Sequence, residues 1–398
     1  MNPEKGPLQG VRILDIGTML AAPLAAGMMA DQGAEVIKVE PPGFGDVMRY
    51  VGATRGGLSS LWQATNRGKR SLALDLKQAN ATAILHQLVR EADILLHNFR
   101  PGVAERLKAD YATLSNINPD LIYLSVTGFG ETGPYSHKAA FDNVIQAFSG
   151  VAWSQAHPDS GEPVQYYQLF SDKLTALYAA QALSAALFAR ERGHGAQHIQ
   201  LSMLEATINF MWPDVSGTAS IIGDDVAPGA SVAKGVPLVR FADGYGQIAP
   251  VTDEQFHGWC RAFEVDSGDP RVKTVIDRMS HPELVTDIAN AIAARCLDVS
   301  LEEGIARLEA EDVPCAPAMS LEDLPQHPQL QALNTFCERE HPLMGPIREP
   351  RQAARFQKTP AGLGQHCATL GQHSDDILLE AGFSDLQIQQ WRKEGLIA

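Results

Sequence analysis

Residues 11–39 read VRILDIGTMLAAPLAAGMMADQGAEVIKV. The run 11–16 is short and apolar, Pro23 stands where an early helical residue belongs, 24–32 favours helix, and 34–39 is rich in β-formers. The reading is strand, helix, strand. Working outward, the pattern repeats with a strand over 71–76, a helix over 79–91, a strand over 93–96, a helix near 111–116 and a strand over 121–126. Strands that alternate with helices predict an α/β fold around a mainly parallel, doubly wound sheet. The first strand-to-helix turn, Asp15-Ile16-Gly17-Thr18-Met19, lacks the G-x-G-x-x-G spacing that lets a pyrophosphate approach a helix N-terminus. That argues against a nicotinamide dehydrogenase.

A long helix is predicted from Asp172 to about Glu191, with Leu174, Leu177, Tyr178, Ala182 and Ala185 on one face and Gly193 and Gly195 as its stop. Ile199, Leu201 and Met203 alternate with polar residues as a further strand. Residues 224–237 are rich in Gly, Pro, Asp and small side chains and read as a linker into a second domain. That domain opens with a hairpin over 238–241 and 245–249, then Thr252-x-x-Gln255, a capping-box pattern, precedes Phe256, Trp259, Cys260 and Phe263 at helical spacing. It ends within 314–328, and a Pro/Gly-rich stretch over 341–364 leads to a terminal helical segment.

The 398 residues carry 32 Lys and Arg against 47 Asp and Glu, a net charge of −15. So acidic a chain repels nucleic acid and anionic membranes, and neither is expected as a partner; a small anionic substrate would need a local basic site. The first ten residues are polar and contain no apolar leader, so a cytoplasmic location is expected. The apolar runs 19–30 and 174–189 fall short of the roughly 20 residues of a membrane span and read as buried helices. The five cysteines, Cys260, Cys296, Cys315, Cys337 and Cys367, form no C-x-x-C pair, so free thiols are expected rather than a zinc site or disulfides.

Several segments could carry chemistry. Asn66-Arg67-Gly68-Lys69-Arg70-Ser71 puts three cations in four positions ahead of a predicted strand; such a loop could hold phosphate, although charge runs are more often solvated. Arg100, in Asn98-Phe99-Arg100-Pro101-Gly102, stands just past the carboxyl end of a predicted strand, the edge at which open α/β sheets bind ligands. Asp172 is on pattern alone most simply an N-cap; the alternative is a nucleophilic carboxylate kept from water among Tyr166, Tyr167, Leu169 and Phe170. Glu131 reads as a turn residue and His137 as a surface one. No Ser-His-Asp order, metal-ligand spacing or Walker loop stands out.

Further matches extend over nearly the whole chain: Pro7-Leu8-Gln9-Gly10-Val11-Arg12-Ile13-Leu14-Asp15, Gly33-Ala34-Glu35-Val36-Ile37-Lys38-Val39-Glu40, Gly45-Asp46, Asn118-Pro119 leading to Ser125-Val126-Thr127-Gly128-Phe129-Gly130, Phe141-Asp142 with Gln146, Ser202-Met203-Leu204-Glu205-Ala206, and Leu370-Gly371-Gln372-His373-Ser374. With the two loops above, their order and spacing resemble the class III CoA-transferase family, which includes formyl-CoA and carnitine CoA-transferases and has the alpha-methylacyl-CoA racemases as relatives. The resemblance implies a large Rossmann-like domain built from both chain ends (residues 1–222 and 329–398), a small α+β middle domain with its linkers (223–328), and an interlocked homodimer. It places the family's catalytic aspartate on Asp172, and its CoA-contacting residues on Leu74, Asp75, Leu76, Lys77, Asn98, Phe99, Arg100 and Arg106. One departure is Pro41, where some members carry an Arg after the residue matching Glu40; Arg49 or the 67–70 cluster is the candidate replacement.

The activity so implied is acyl-CoA:carboxylate CoA transfer, with coenzyme A as co-substrate and no metal, through an aspartyl mixed anhydride and an aspartyl-CoA thioester on Asp172. A racemase is the alternative; it needs an acid and a base on opposite faces of a carbon, and the His that racemases carry just before the residue matching Asp142 is Phe141 here. A non-catalytic CoA-binding dimer is a third reading, against which the intact Asp172 stands. The expected partners are an acyl-CoA and a small carboxylic acid, with a dicarboxylate such as succinate the leading guess. The scattered glycines of residues 227–235, where formyl-CoA transferase has a glycine-rich loop, argue against oxalate.

Overall fold

The computed structural model describes residues 6–157, 159–226 and 237–398. The chain divides into two compact units, one formed by Met1–Ala230 with Asn334–Ala398 and the other by Ser231–Leu333. The first holds a six-stranded sheet, all of whose pairings are parallel: β1 (Arg12–Asp15), β2 (Glu35–Glu40), β3 (Lys69–Ala73), β4 (Ile94–His97), β5 (Ile122–Thr127) and β6 (His198–Ser202). Their spatial order is β3-β2-β1-β4-β5-β6, so the winding reverses between β1 and β4. The fold is α/β with a large parallel sheet.

Alternation along the strands feeds two cores, because successive Cβ atoms point to opposite faces. Leu14, Ile37, Leu72, Leu95 and Tyr123 meet helix α2 (Ala79–Val89) and the C-terminal Ile377, Leu378 and Ile388 on one face. Ile13, Val36, Ile94, Leu96 and Leu124 meet α1 (Ala21–Asp31) and α4 (Phe170–Ala189) on the other, with α3 (Asp142–Phe148) placing Ile145 in the same core. Covered on both sides, β1 to β5 are buried almost throughout, as strands of parallel sheets are, even where they carry Lys38, Lys69 and Ser71. The small residues of α1 let it pack closely; a Cβ on Gly27 would stand 2.7 Å from the Thr65 carbonyl oxygen.

Several boundaries differ from the sequence reading. β3 begins at Lys69 and ends at Ala73, because the Asp75 N–H turns away from β2 to donate to the Leu396 carbonyl. Met203 is not a strand residue: Ser202 accepts from the Glu205 N–H at 3.3 Å and starts α5 (Met203–Val215). The stretch read as irregular over 341–364 contributes to a hairpin, Phe336–His341 against Gly345–Pro350.

The second unit pairs Tyr245–Ile248 antiparallel with Val239–Arg240 and with Cys315–Pro317. Phe241, Phe256, Cys260, Phe263, Ile292 and Leu308 form its core, and the Thr252/Gln255 capping box is present. The 227–235 stretch lies outside the described residues. Among the described residues no helix is long and apolar enough to cross a membrane, and the five cysteines are free.

Candidate active site

Where strand order reverses, adjacent loops leave the sheet in opposite directions and open a crevice at the carboxyl ends of the strands. Here the lips are Gly17-Thr18-Met19 after β1 and Asn98-Phe99-Arg100 after β4. The Asn98 amide joins them, with Oδ1 accepting from the Thr18 N–H at 2.8 Å and Nδ2 donating to the Thr18 carbonyl at 2.7 Å. His97, at the end of β4, accepts from the Phe99 N–H at 3.1 Å and pairs through Nε2 with the Tyr123 hydroxyl at 2.6 Å, which sets the second lip.

A buried charge network lies beneath the first lip. Lys38 Nζ donates to the Gly17 carbonyl and lies 3.6 Å from Asp15 and 3.5 Å from Asp46, while Lys69 Nζ donates to Asp15 at 2.9 Å. Asp15 accepts from the Gly17 N–H at 3.0 Å and Asp46 from the Met19 N–H at 2.9 Å. Burial opposes the charge on Asp15, but Lys38 and Lys69 together outweigh it and hold the carboxyl below its usual range. Lys69 meets one carboxylate and the like charge of Lys38; burial pulls its ammonium down to about 8.

Asp172 is the third residue of α4, not its cap. No side chain at Leu169 caps the helix; Asp142, at the start of α3, takes the Asp172 N–H at 2.9 Å, and Gln146 donates to the other Asp142 oxygen at 2.6 Å. Gln146 also accepts from the Tyr166 N–H at 2.9 Å and donates to the Gln168 carbonyl at 3.1 Å, fixing the segment that leads into α4. Neither Asp142 nor Asp172 has an ion-pair partner among the described residues. Burial first, and then the charge of Asp142, pushes the Asp172 carboxyl up to about 7.

A cleft of about 260 Å³ has Asp172 in its wall together with Thr18, Met19, Asn98, Phe99, Arg100, Lys138 and Phe141. Four of the residues singled out from the sequence, Asp172, Asn98, Phe99 and Arg100, therefore share one cavity. Leu74, Asp75, Leu76 and Lys77 follow β3 at the same sheet edge, three strand positions from β4, or roughly 14 Å at 4.8 Å per strand. Arg106 ends a short helix, Val103–Arg106, that begins after Gly102. Arg100, Arg106 and Lys77 are exposed, with no side-chain ion pair among the described residues.

The cations of the 67–70 cluster all have carboxylate partners within the protein. Arg67 pairs with Asp31 at 2.6 Å and Glu349 at 3.2 Å, Lys69 with Asp15, and Arg70 with Glu35 at 2.9 Å and Glu380 at 2.7 Å. Arg49 is likewise engaged, bidentate on Glu40 at 2.7 and 2.8 Å and stacked over Trp62. Both candidates for the arginine missing at Pro41 are thus engaged with carboxylates of the fold.

Sequence reasoning missed Lys138, the partnership of Asp142 with Asp172, and the partners of Glu131, which stands in a bend as expected. The Ser125 hydroxyl donates to Glu131 at 2.5 Å and lies 2.8 Å from His198 Nε2; Gln200 donates to the other Glu131 oxygen. Ser125, Glu131 and His198 line a second cavity of about 180 Å³ that shares Phe99, Arg100, Pro101 and Thr127 with the cleft. The hydroxyl donates to the carboxylate and so accepts from the imidazole, the reverse of an activated serine. His137 is exposed, as expected.

The model of a family described as CoA-transferase family III matches residues 8–374. The chain is 32% identical over 394 residues to a succinate–glutarate CoA-transferase of Agrobacterium fabrum, covering 95% of this chain and 96% of that one. It is 33% identical over 354 residues to an acetyl-CoA:oxalate CoA-transferase of Acetobacter aceti, covering 84% and 86%. A CAIB/BAIF family protein from Brucella suis superposes with a TM-score of 0.81 at 28% identity over 95% of this chain and all of that one. With the parallel sheet, the crevice at its reversal point and a family match across nearly the whole length, the chain belongs to CoA-transferase family III and is a CoA-transferase, an enzyme with coenzyme A substrates.

Proposed function

We propose that the chain moves CoA from a donor acyl-CoA to an acceptor dicarboxylate through covalent intermediates on Asp172. The observation that carries this is the Asp172 carboxyl itself, in the wall of the crevice, half-buried and pushed up to about 7 by burial and Asp142. A hydrated carboxylate is a weak nucleophile; one stripped of part of its water is more reactive, yet still ionised above neutral pH. The Asp172 oxygen adds to the thioester carbonyl and the C–S bond breaks, giving an aspartyl mixed anhydride and CoA thiolate. The thiolate attacks the aspartyl carbonyl and expels the donor's carboxylate. The acceptor carboxylate then attacks this aspartyl-CoA thioester, releasing thiolate and forming a second anhydride. Thiolate attack on the acceptor's acyl carbon gives the new acyl-CoA and frees Asp172. No proton or redox partner is required.

In this reading Phe99, Arg100, Arg106 and the stretch Asp75, Leu76 and Lys77 hold CoA along the sheet edge, with Asn98 at the same lip; the Leu74 side chain is buried in the core, so that residue offers only its backbone. Arg100 supplies positive charge against an acidic whole. Lys138 is the second cation in the cleft wall and suits the far carboxylate of a diacid, the substrate class that two relatives' names share. Phe141 lines the cleft where a racemase would need a further acid-base group. A homodimer is part of the proposal: α4 exposes Leu177 and Phe188 among Lys173, Gln181 and Ser184, its neighbour α5 exposes Phe210 and Trp212, and large apolar side chains exposed on two adjoining helices suit a covering partner.

The test is to incubate the enzyme with succinyl-CoA, trap with hydroxylamine or borohydride, and map the modified peptide by mass spectrometry. Modification at Asp172 is expected; a different site sinks the assignment. A matrix of acyl-CoA donors against succinate, glutarate, oxalate and monocarboxylates then identifies the acceptor class, and transfer confined to monocarboxylates would refute the diacid reading.

A further inference from the structure

The turn that faces Asp172 is held at every point. Five consecutive backbone polar groups each meet a side chain: the Gly17 N–H meets Asp15, the Gly17 carbonyl Lys38, the Thr18 N–H and carbonyl both Asn98, and the Met19 N–H Asp46. Water satisfies the polar groups of an ordinary surface turn, so side-chain partners here buy rigidity rather than mere solvation. Met19 sits at φ +62°, a left-handed conformation that residues with a Cβ seldom adopt and that surroundings must impose. Asp15, Lys38 and Asp46 hold the turn from the buried floor. Asn98 is the holder that reaches across from the opposite lip.

We propose that Asn98 is a positioning residue of the transfer reaction: its side chain locks the Thr18–Met19 lip against the β4 loop and so sets where the reacting carbonyl stands relative to Asp172. The inference rests on Asp172 being the nucleophile. A carboxamide carries a donor and an acceptor side by side and can close both Thr18 groups at once; no aliphatic or carboxylate side chain can. With Oδ1 and Nδ2 both engaged at 2.8 and 2.7 Å, the amide acts on the ligand through the turn and not by direct contact. Thr18, Met19, Asn98 and Asp172 line the same cleft, so a shift of the lip is a shift of the substrate. The turn's N–H groups, all taken, are not donors to a developing oxyanion.

The experiment compares wild type, Asn98→Ala and Asn98→Asp by rapid-quench single turnover with succinyl-CoA, reading the covalent Asp172 adduct, alongside calorimetric CoA affinity and thermal melting. For Asn98→Ala the CoA Kd is expected to stay within about threefold while the saturating rate of adduct formation falls roughly 30- to 100-fold, the loss that follows about 1 Å of misplacement. Asn98→Asp keeps the acceptor for the Thr18 N–H but lacks the donor to its carbonyl, and it preserves the side chain's shape should the alanine variant fold poorly. Its rate relative to wild type is expected to recover as pH falls and the introduced carboxyl gains a proton to donate. Three results overturn the proposal: a CoA Kd weakened about tenfold with the saturating rate intact, which would make Asn98 a ligand contact; both quantities unchanged; or a flat pH ratio for Asn98→Asp. A wild-type enzyme that forms no adduct on Asp172 fails the nucleophile reading instead.

Discussion

Asp15 and Asp172 are two carboxylates of one crevice, held in opposite ways. Asp15 is wholly buried, yet two ammonium groups keep it ionised and below the usual carboxylate range; Asp172 is only half-buried, yet it is pushed up to about 7. Depth alone would rank them the other way. What separates them is counter-charge: Lys38 and Lys69 face Asp15, while Asp172 has a second carboxylate, Asp142, at the start of its helix. The floor of the crevice is compensated and holds structure; the rim is uncompensated, which is what the proposed chemistry on Asp172 asks of it. The same division sorts the cations, with Arg67, Lys69 and Arg70 paired inside the protein and Arg100 left open at the lip.

The largest effect that tests this contrast is loss of the rim carboxylate. Asp172→Ala should lower transfer by on the order of 10⁴-fold or more while CoA affinity moves little, measured by coupled assay and calorimetry. In the wild type, kcat/KM should fall as pH drops through about 7, because the nucleophile must be ionised and Asp172 gains its proton there. Asp142→Asn should move that inflection to lower pH by removing the like charge. An inflection near the ordinary carboxylate value in the wild type would erase the difference between rim and floor.

The floor answers in stability instead. Asp15→Asn takes from buried Lys69 its paired carboxylate and leaves buried Lys38 with Asp46 alone, and should cost about 3–5 kcal/mol in a denaturant titration. The sign follows from its lowered pKa: the stabilisation is present above the ordinary carboxylate range and is lost as pH falls below it. A loss under about 1 kcal/mol would show that the network is not the foundation of the turn above it. Arg100→Ala, at the rim, should raise KM for acyl-CoA about 10- to 30-fold with kcat nearly kept, the worth of one charge-assisted hydrogen bond at about 1.5–2 kcal/mol.

How much of this could be read from the chain follows from the range of each interaction. The alternation of strands and helices is local, so the parallel sheet was legible from residues 11–39 outward. The value of Arg100 was legible because it follows a strand whose carboxyl end is recognisable. The partners of the cation cluster were not: Glu349 and Glu380 stand about 280 and 310 positions away from Arg67 and Arg70. Asp172 looked like a cap because its place near a helix start is local information, whereas the true acceptor, Asp142, comes from another helix 30 residues earlier. The hairpin at 336–350 was hidden by Gly345, Pro346 and Pro350, which read as breaks although Pro346 and Pro350 hold register with Glu340 and Phe336.

The smallest predicted effect is also the sharpest check on the cations. Arg70 shares its guanidinium between Glu35 and Glu380, both of them more than a third exposed, and exposed pairs contribute about 0–1 kcal/mol. Arg70→Gln should therefore leave KM for acyl-CoA within about twofold and lower stability by no more than that range. Side-chain charge is removed in both Arg70→Gln and Arg100→Ala, so long-range attraction of an anionic substrate falls alike in the two; only contact with the ligand can distinguish them. Measuring both at low and at high salt separates the terms, since screening suppresses the shared part and leaves the contact. If the two variants lose affinity equally at high salt, the paired cluster reaches the ligand after all, and the distinction between a compensated floor and an open rim does not govern where CoA is held.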